Sequence, residues 1–300
     1  MEDIKLIHHY PVMYREVLDL LDIKNKKVIV DCTLGVGSLA IKFFEVMSNE
    51  SFLIGIDKDE KSLEVARQRL QSLNGHFSLC KSSFSDIDKV LKSLGINKVD
   101  VFIFDLGISS YQLNNPNRGF SFLKEGPLDM RMDKDSFLSA YDLVNNLSQI
   151  ELENIFRKFG EERYSKRIAQ SIVKFRDLEP ILTTVQLAQI VTDSVPLKDR
   201  YQRVHPATRV FQALRIAVNR ELESIEIALK KAISFLSLGG RIGVISFHSL
   251  EDRIVKNIFK DYKNKNLLNI ITKKPLTPTE AEKAENNPSR SAKFRVAEKN

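Results

Sequence analysis

The residues of this 300-residue chain best suited to chemistry are a glycine pair and two carboxylates that close apolar runs. Asp57 ends the run FLIGID, 22 residues after Gly35 in the stretch DCTLGVGSLA. Glycines after a strand let the backbone approach a ligand, and an acid closing the next strand can accept both hydroxyls of a ribose. The third glycine of the dinucleotide pattern is missing, because Gly35-Val36-Gly37 runs on into Ser38, Leu39 and Ala40. That disfavours a nicotinamide oxidoreductase and favours an adenosine ligand without phosphates, of which S-adenosylmethionine is the common one. Asp105 ends the run VDVFIFD and would face the same crevice, since ligands of open α/β sheets bind beyond the carboxyl ends of the strands. The competing readings are a tight turn beside an unrelated Asp57, and a simple loop cap for Asp105.

From Asp105 to Asp133 the chain carries Gly, Pro, Asn and Ser at turn density, together with Tyr111, Phe120, Phe122, Met130 and Met132. An idle surface loop has no use for so many large apolar side chains, and long ordered loops are usually functional.

These residues need a scaffold, and the sequence predicts one. A hydrophobic content of 43% buries a sizeable core without disulfides. After a short amphipathic helix holding Val17, Leu18 and Leu21, apolar runs at 27–31, 52–57, 76–80 and 99–105 alternate with helical patterns at 61–72 and 86–94. Such alternation predicts an α/β fold with a parallel sheet. The strand signal vanishes over 134–205, which reads as a helical domain inserted between 1–133 and 206–300. Within 161–178, Tyr164, Ile168, Ile172 and Phe175 share one helical face and Arg163, Lys166, Arg167 and Lys174 another; a solvated face and an RNA-binding stripe both fit. A single long helix with Val210, Leu214, Val218, Leu222, Ile225, Leu229 and Leu236 on one stripe should then end at Gly239-Gly240. The run RIGVISF reads as a strand, SLED as a helix start capped by the Ser249 hydroxyl, TPTEAEKAENNPSR as a polar loop and AKFRVAE as a last strand.

The formal charge of +7 and pI near 9.2 point to a polyanionic partner. No run of about 18 apolar residues occurs and MEDIKLIHHYP lacks a signal-peptide core, so a cytoplasmic protein with no membrane partner is expected. Cys32 and Cys80 read as small core residues, and His8, His9, His76, His205 and His248 have no metal-ligand spacing, so no metal is expected.

Seven blocks in order, DLGISSYQ, RGFSF, GPLDMRMD, FGEERYSKRIAQSIV, HPATRVFQALRIAVNRELE, GGRIGVISFHSLEDRIVK and NPSRSAKFRVAE, resemble the bacterial 16S ribosomal RNA (cytosine-N4) methyltransferase family. With the HHYPV opening, the resemblance spans nearly the whole chain. It implies a class I S-adenosylmethionine-dependent methyltransferase, a Rossmann-like sheet with the inserted helical domain binding substrate. The activity implied is transfer of one methyl group to the N4 amine of a cytosine in the decoding centre, with 16S ribosomal RNA or the small ribosomal subunit as partner. Carried over by position, the family's cofactor contacts fall on Gly37, Ser38, Leu39, Asp57, Phe84, Asp105 and Gln112. Asp57 would hold the ribose hydroxyls, Phe84 would pack near the adenine, and Asp105 and Gln112 would add polar contacts. Two departures stand out: Ser38-Leu39 occupies a place where a Gly-Gly-His run is usual, and Tyr111 replaces a proline. Backbone amides at 37–39 would still reach the methionine carboxylate; the alternative is a non-catalytic RNA-binding or ribosome assembly factor on the same fold.

The cytosine N4 lone pair is delocalised into the ring, so positioning supplies much of the catalysis. Asp105, or a backbone carbonyl of its turn, would accept an N4 proton while Ser109 and Ser110 shape the pocket. A target base must leave its stack. Tyr111, Phe120 and Phe122 are then stacking surfaces, with loop core as the competing reading, and Arg118, Arg131, Arg209 and Arg253 are phosphate contacts. His248 is a substrate contact or a structural histidine, and Glu251 and Asp252 serve the helix start.

Overall fold

Strands β1 (Val28–Asp31), β2 (Phe52–Asp57), β3 (His76–Lys81), β4 (Val99–Asp105), β5 (Leu236–Ser246), β6 (Leu268–Ile270) and β7 (Lys293–Lys299) form one sheet in the order β3-β2-β1-β4-β5-β7-β6. The first five run parallel, and β7 pairs antiparallel with both β5 and β6. This is the expected class I methyltransferase sheet. The computed structural model describes residues 10–73, 75–202 and 204–300, so His8 and His9 of the opening block lie outside the described residues. No helix among the described residues is long and apolar enough to cross a membrane.

The chain divides into two compact units, one running up to Gly107 and again from Leu222 to Asn300, the other from Ile108 to Glu221. In the first, helices α1 (Tyr14–Leu20), α2 (Ser38–Phe44), α3 (Glu60–Leu70), α4 (Ile87–Ser93), α12 (Glu221–Phe235), α13 (Ser249–Asn264) and α14 (Glu280–Glu285) accompany the sheet. Successive strand residues point to opposite faces. Val30, Ile54, Ile56, Phe102, Phe104 and Val244 therefore pack with residues of α4, α12 and α13, while Ile29, Leu53, Val101, Ile103 and Ile245 pack with α1, α2 and α3. Phe102 and Phe104 are fully buried, each contributing about 2 kcal/mol of hydrophobic transfer.

The second unit holds α5 (Ser110–Asn114), α6 (Ala140–Asn146), α7 (Gln149–Gly160), α8 (Ser165–Arg176), α9 (Thr184–Ser194), α10 (Leu197–Arg200) and α11 (Ala207–Asn219). It is wider than the helical run 134–205 because Phe120, Leu128 and Met130 before that run, and Val210, Phe211 and Leu214 after it, belong to its core. The expected helix at 161–178 starts only at Ser165: Glu161 takes a left-handed φ of 48° as the C-cap of α7, and Tyr164 is the N-cap of α8.

Three further expectations change. The single long helix is two, broken at Arg220 with φ 50°, where Arg215 grips Glu221 at 2.9 and 2.8 Å. Its stripe accordingly serves two cores, Val210 and Leu214 in one, Ile225 and Leu229 in the other. The helix ends at Phe235 rather than at the glycines, which lie inside β5. Leu236 pairs with Val99 and Arg241 with Val101, so the intervening residues bulge outward. The polar loop before the last strand contains α14, capped by the Thr279 side chain accepting from the Glu282 amide.

Candidate active site

The carboxyl ends of β1, β2 and β4 lie side by side, because β1 pairs with both of the others. Beyond β1 the glycine loop is fastened to its neighbour: Leu34 N donates to Ile56 O at 3.0 Å and Gly35 N to Asp57 Oδ2 at 2.7 Å. The other Asp57 oxygen accepts from Asp59 N at 2.9 Å. Each carboxylate oxygen has a second lone pair, so the acid keeps acceptor capacity. Gly37, at φ 76°, is the N-cap of α2 and lies against α3; a Cβ there would stand 3.3 Å from the Ala66 Cβ. Ser38 opens α2, and Leu39 is buried in the core that includes Ala40, Phe43, Leu63 and Ala66. The leucine that stands in place of an imidazole is thus a packing residue. Arg69 on α3 donates through Nη1 to Val36 O at 2.7 Å and to Ser38 Oγ at 3.1 Å.

Acids dominate the centre. The Asp105 amide donates to Thr33 Oγ1 at 2.6 Å, while Oδ1 of its side chain is closed off from solvent and has no hydrogen-bond partner. Burial, with repulsion from Asp31 and Glu251, pushes the Asp105 carboxyl up to about 8. Burial also raises Asp31, opposed by its bond from the Thr33 amide, to about 7. Asp57 is raised mainly by burial, against hydrogen bonds from the Asp59 and Gly35 amides. In none of the three does a neighbouring cation offset the shift, so the group favours the arrival of positive charge. Phe84, just after β3, sets its edge against Phe104 at 5.9 Å and 82°, with the Lys58 ammonium 5.7 Å from its own ring.

The remaining expected residues separate by role. Gln112 and Ser109 form a capping box on α5 in the second unit: Ser109 Oγ accepts from Gln112 N at 3.2 Å, and Gln112 Oε1 from Ser109 N at 3.3 Å. Ser110 and Tyr111 follow on that helix, half-buried. Arg118 is buried and donates to the carbonyls of Arg131 and Met132, both at 2.9 Å, so it braces its own loop instead of meeting a phosphate. Arg131 chelates Asp129 at 2.9 and 2.8 Å and reaches the carbonyls of Lys134 and Ser136, again a structural use. Phe120 is core, and the half-buried Phe122 packs on His205 at 4.7 Å and Phe211 at 4.9 Å. Gly119 lets the loop close tightly on itself: a Cβ there would lie 2.1 Å from Pro127 O. Arg209 and Arg253 are exposed. His248, not Ser249, caps α13, its Nδ1 accepting from Glu251 N at 3.4 Å while Glu251 Oε2 accepts from the amides of Phe247 and His248. The side chain of His248 is therefore a structural cap.

With the glycine loop, Asp57, Phe84 and Asp105 assembled on one sheet edge, comparison with known proteins becomes decisive. The family model described as the MraW methylase family matches residues 6–300. The chain belongs to the MraW methylase family. Among its curated relatives, the ribosomal RNA small subunit methyltransferase H of Sulfurihydrogenibium azorense is 51% identical over 292 residues, covering 97% of this chain and 99% of that one. The protein of the same name from Persephonella marina is 49% identical and covers 98% of this chain and all of its own. The one from Citrifermentans bemidjiense is 46% identical over the full length of both. This MraW-family chain is an S-adenosylmethionine-dependent methyltransferase, which sets aside the non-catalytic reading. Its acids fit the cofactor, whose sulfonium and ammonium are cations, and the orphaned Asp105 oxygen supplies an acceptor. Sequence reasoning passed over Asp31 and Arg69, and gave Glu251 only a place at the helix start. The signal for Asp31 was present, since VIVD ends on a carboxylate just as the other two strands do; nothing local marks Arg69.

Proposed function

We propose that this methyltransferase transfers the methyl group of S-adenosylmethionine to the N4 amine of a cytosine in the decoding centre of 16S ribosomal RNA, presented as RNA or within the small ribosomal subunit in the cytoplasm. The observation that supports this reading is the Asp105 side chain, whose Oδ1 lies sealed and unpartnered at the end of β4 among other acids. Gly37, Ser38, Leu39, Asp57, Phe84, Asp105 and Gln112 would hold the cofactor. The cofactor brings a methyl group on a positively charged sulfur.

Transfer would join the methyl carbon to the amine nitrogen through the amine electron pair, leave the C–S pair on sulfur, and require the amine to give up a proton. Asp105 is held as its neutral acid by burial and by like charges; a cation beside it favours its ionised form, which can accept that proton. Thr33 fixes the Asp105 backbone and Glu251 fixes the turn at Phe247-His248 behind it. The inserted unit, as the substrate-binding domain, offers exposed Lys166, Arg167, Lys174 and Arg209 for a phosphate backbone. The test is transfer of tritiated methyl to small-subunit RNA and to small subunits from cells lacking this enzyme, with the modified base mapped. Label on a cytosine N4 is expected; label elsewhere, or none on either substrate, overturns the assignment.

A further inference from the structure

The family pattern leaves one question at the glycine loop, namely what steadies it when Ser38 and Leu39 replace Gly and His. Two anchors are visible. Asp57 holds the leading end through Gly35 N. The trailing end is held by Arg69, one guanidinium nitrogen bridging Val36 O at 2.7 Å and Ser38 Oγ at 3.1 Å. Gly37 between them is pressed on Ala66 and Leu70 of the same helix that carries Arg69. Arg69 is half-buried and has no carboxylate partner among the described residues, so this loop is what its guanidinium is spent on. Burying part of a guanidinium without an acid is costly unless its donors find acceptors, and the bridge gives Nη1 two of them.

We infer that Arg69 is a positioning residue for the cofactor: by bridging Val36 O and Ser38 Oγ it holds the turn at Gly37 in the shape that receives S-adenosylmethionine, and Ser38 is its hydroxyl partner, not a degraded glycine. The inference rests on the methyltransferase reading of the site. It acts through the loop and touches no reacting atom, so its signature is a loss of cofactor affinity with turnover at saturation retained.

The test compares wild type with Arg69→Met, Arg69→Lys and Ser38→Ala by calorimetric titration with S-adenosylmethionine and with its demethylated product, by steady-state kinetics, and by amide hydrogen exchange over residues 35–39. Arg69→Met should weaken cofactor binding about tenfold and raise KM in parallel, with kcat changed by less than about twofold and with faster exchange confined to the loop. Arg69→Lys, which keeps a charged donor group but on a shorter side chain without the planar fork, should recover part of the affinity, and Ser38→Ala should cost about threefold because Val36 O remains bonded. Wild-type affinity in Arg69→Met, or equal affinities for the Met and Lys variants, overturns the inference while leaving the methyltransferase reading intact. Should Arg69→Met not fold, unchanged affinity and loop exchange in Ser38→Ala and Arg69→Lys would overturn it equally. Absence of binding by the wild type instead removes the reading on which it rests.

Discussion

Arg118 donates to the carbonyl oxygen of Met132 at 2.9 Å, fourteen positions along the chain, and to that of its neighbour Arg131 at the same distance. The whole RGFSF to DMRMD region closes on this contact: Met130 N donates to Arg118 O at 3.0 Å, and Asn219 holds Met130 O and Met132 N at 2.8 Å each. A buried arginine spent on carbonyls cannot also neutralise a phosphate. Arg118→Met should therefore lower stability by about 2 kcal/mol, because it removes the donor that the carbonyls of Arg131 and Met132 share, and leave the salt dependence of RNA binding unchanged although a positive charge is lost. Thermal melting and a salt titration check both halves. A folded variant whose salt slope drops by about one would return Arg118 to the phosphate contacts.

Asp105→Asn tests the proton acceptor. The amide keeps the shape and the Thr33 contact made by the backbone, but it cannot take a proton. Single-turnover methyl transfer should fall by about a hundredfold or more, with cofactor affinity reduced by less than about tenfold. Wild-type turnover with the cofactor bound would assign the proton to a backbone carbonyl of the same turn or to water.

The raised carboxyls make the cofactor-free protein pH-sensitive in a definite direction. Asp105 stands at about 8 and Asp31 at about 7 in the folded chain, against 3.8 for an ordinary aspartate. Below about pH 4 both states are protonated and neither residue costs anything. As pH rises from there to about 8 the unfolded chain ionises first, so the native state loses stability across that window. The melting temperature should decline from about pH 5 to about pH 8, less steeply in Asp105→Asn. Binding the cationic cofactor lowers these values again and should release protons near pH 7, seen calorimetrically as a dependence of the binding heat on buffer ionisation enthalpy. A flat melting profile in the wild type would refute the buried-acid account.

Arg163 is exposed like its basic neighbours but does not share their setting: it pairs with Asp199 at 2.6 Å, and its guanidinium carbon lies 4.6 Å from the Tyr164 ring centroid. The exposed Lys166, Arg167 and Lys174 are the better RNA contacts. Reversing Lys166 and Arg167 together to Glu should reduce the slope of log affinity against log salt by about two with the melting temperature unchanged. An unchanged slope marks this face of α8 as simply solvated.

The sheet was legible in the residues because its signals are local. Apolar runs of strand length, helices of the right period between them and carboxylates at the run ends predict the parallel order and the crevice. Boundaries set by a single backbone dihedral were not legible. Nothing in the apolar stripe from Val210 to Leu236 announces the left-handed turn at Arg220, and Ser249 and His248 are both able to cap α13 until the extended φ of −144° at His248 assigns the role.

The sequence by itself determined the fold, the family and the glycine loop, Asp57, Phe84 and Asp105 as a set, since strand ends deliver their side chains to one edge whatever the rest of the chain does. Only the tertiary structure decided what the arginines and aromatics of the long loop are for. Arg118 and Phe122 carry the same letters whatever they face, and the carbonyls of Arg131 and Met132 and the rings of His205 and Phe211 that meet them come from other parts of the chain. The same holds for Arg69, whose acceptors Val36 and Ser38 lie 33 and 31 residues away and come within reach only when α3 packs on the glycine loop.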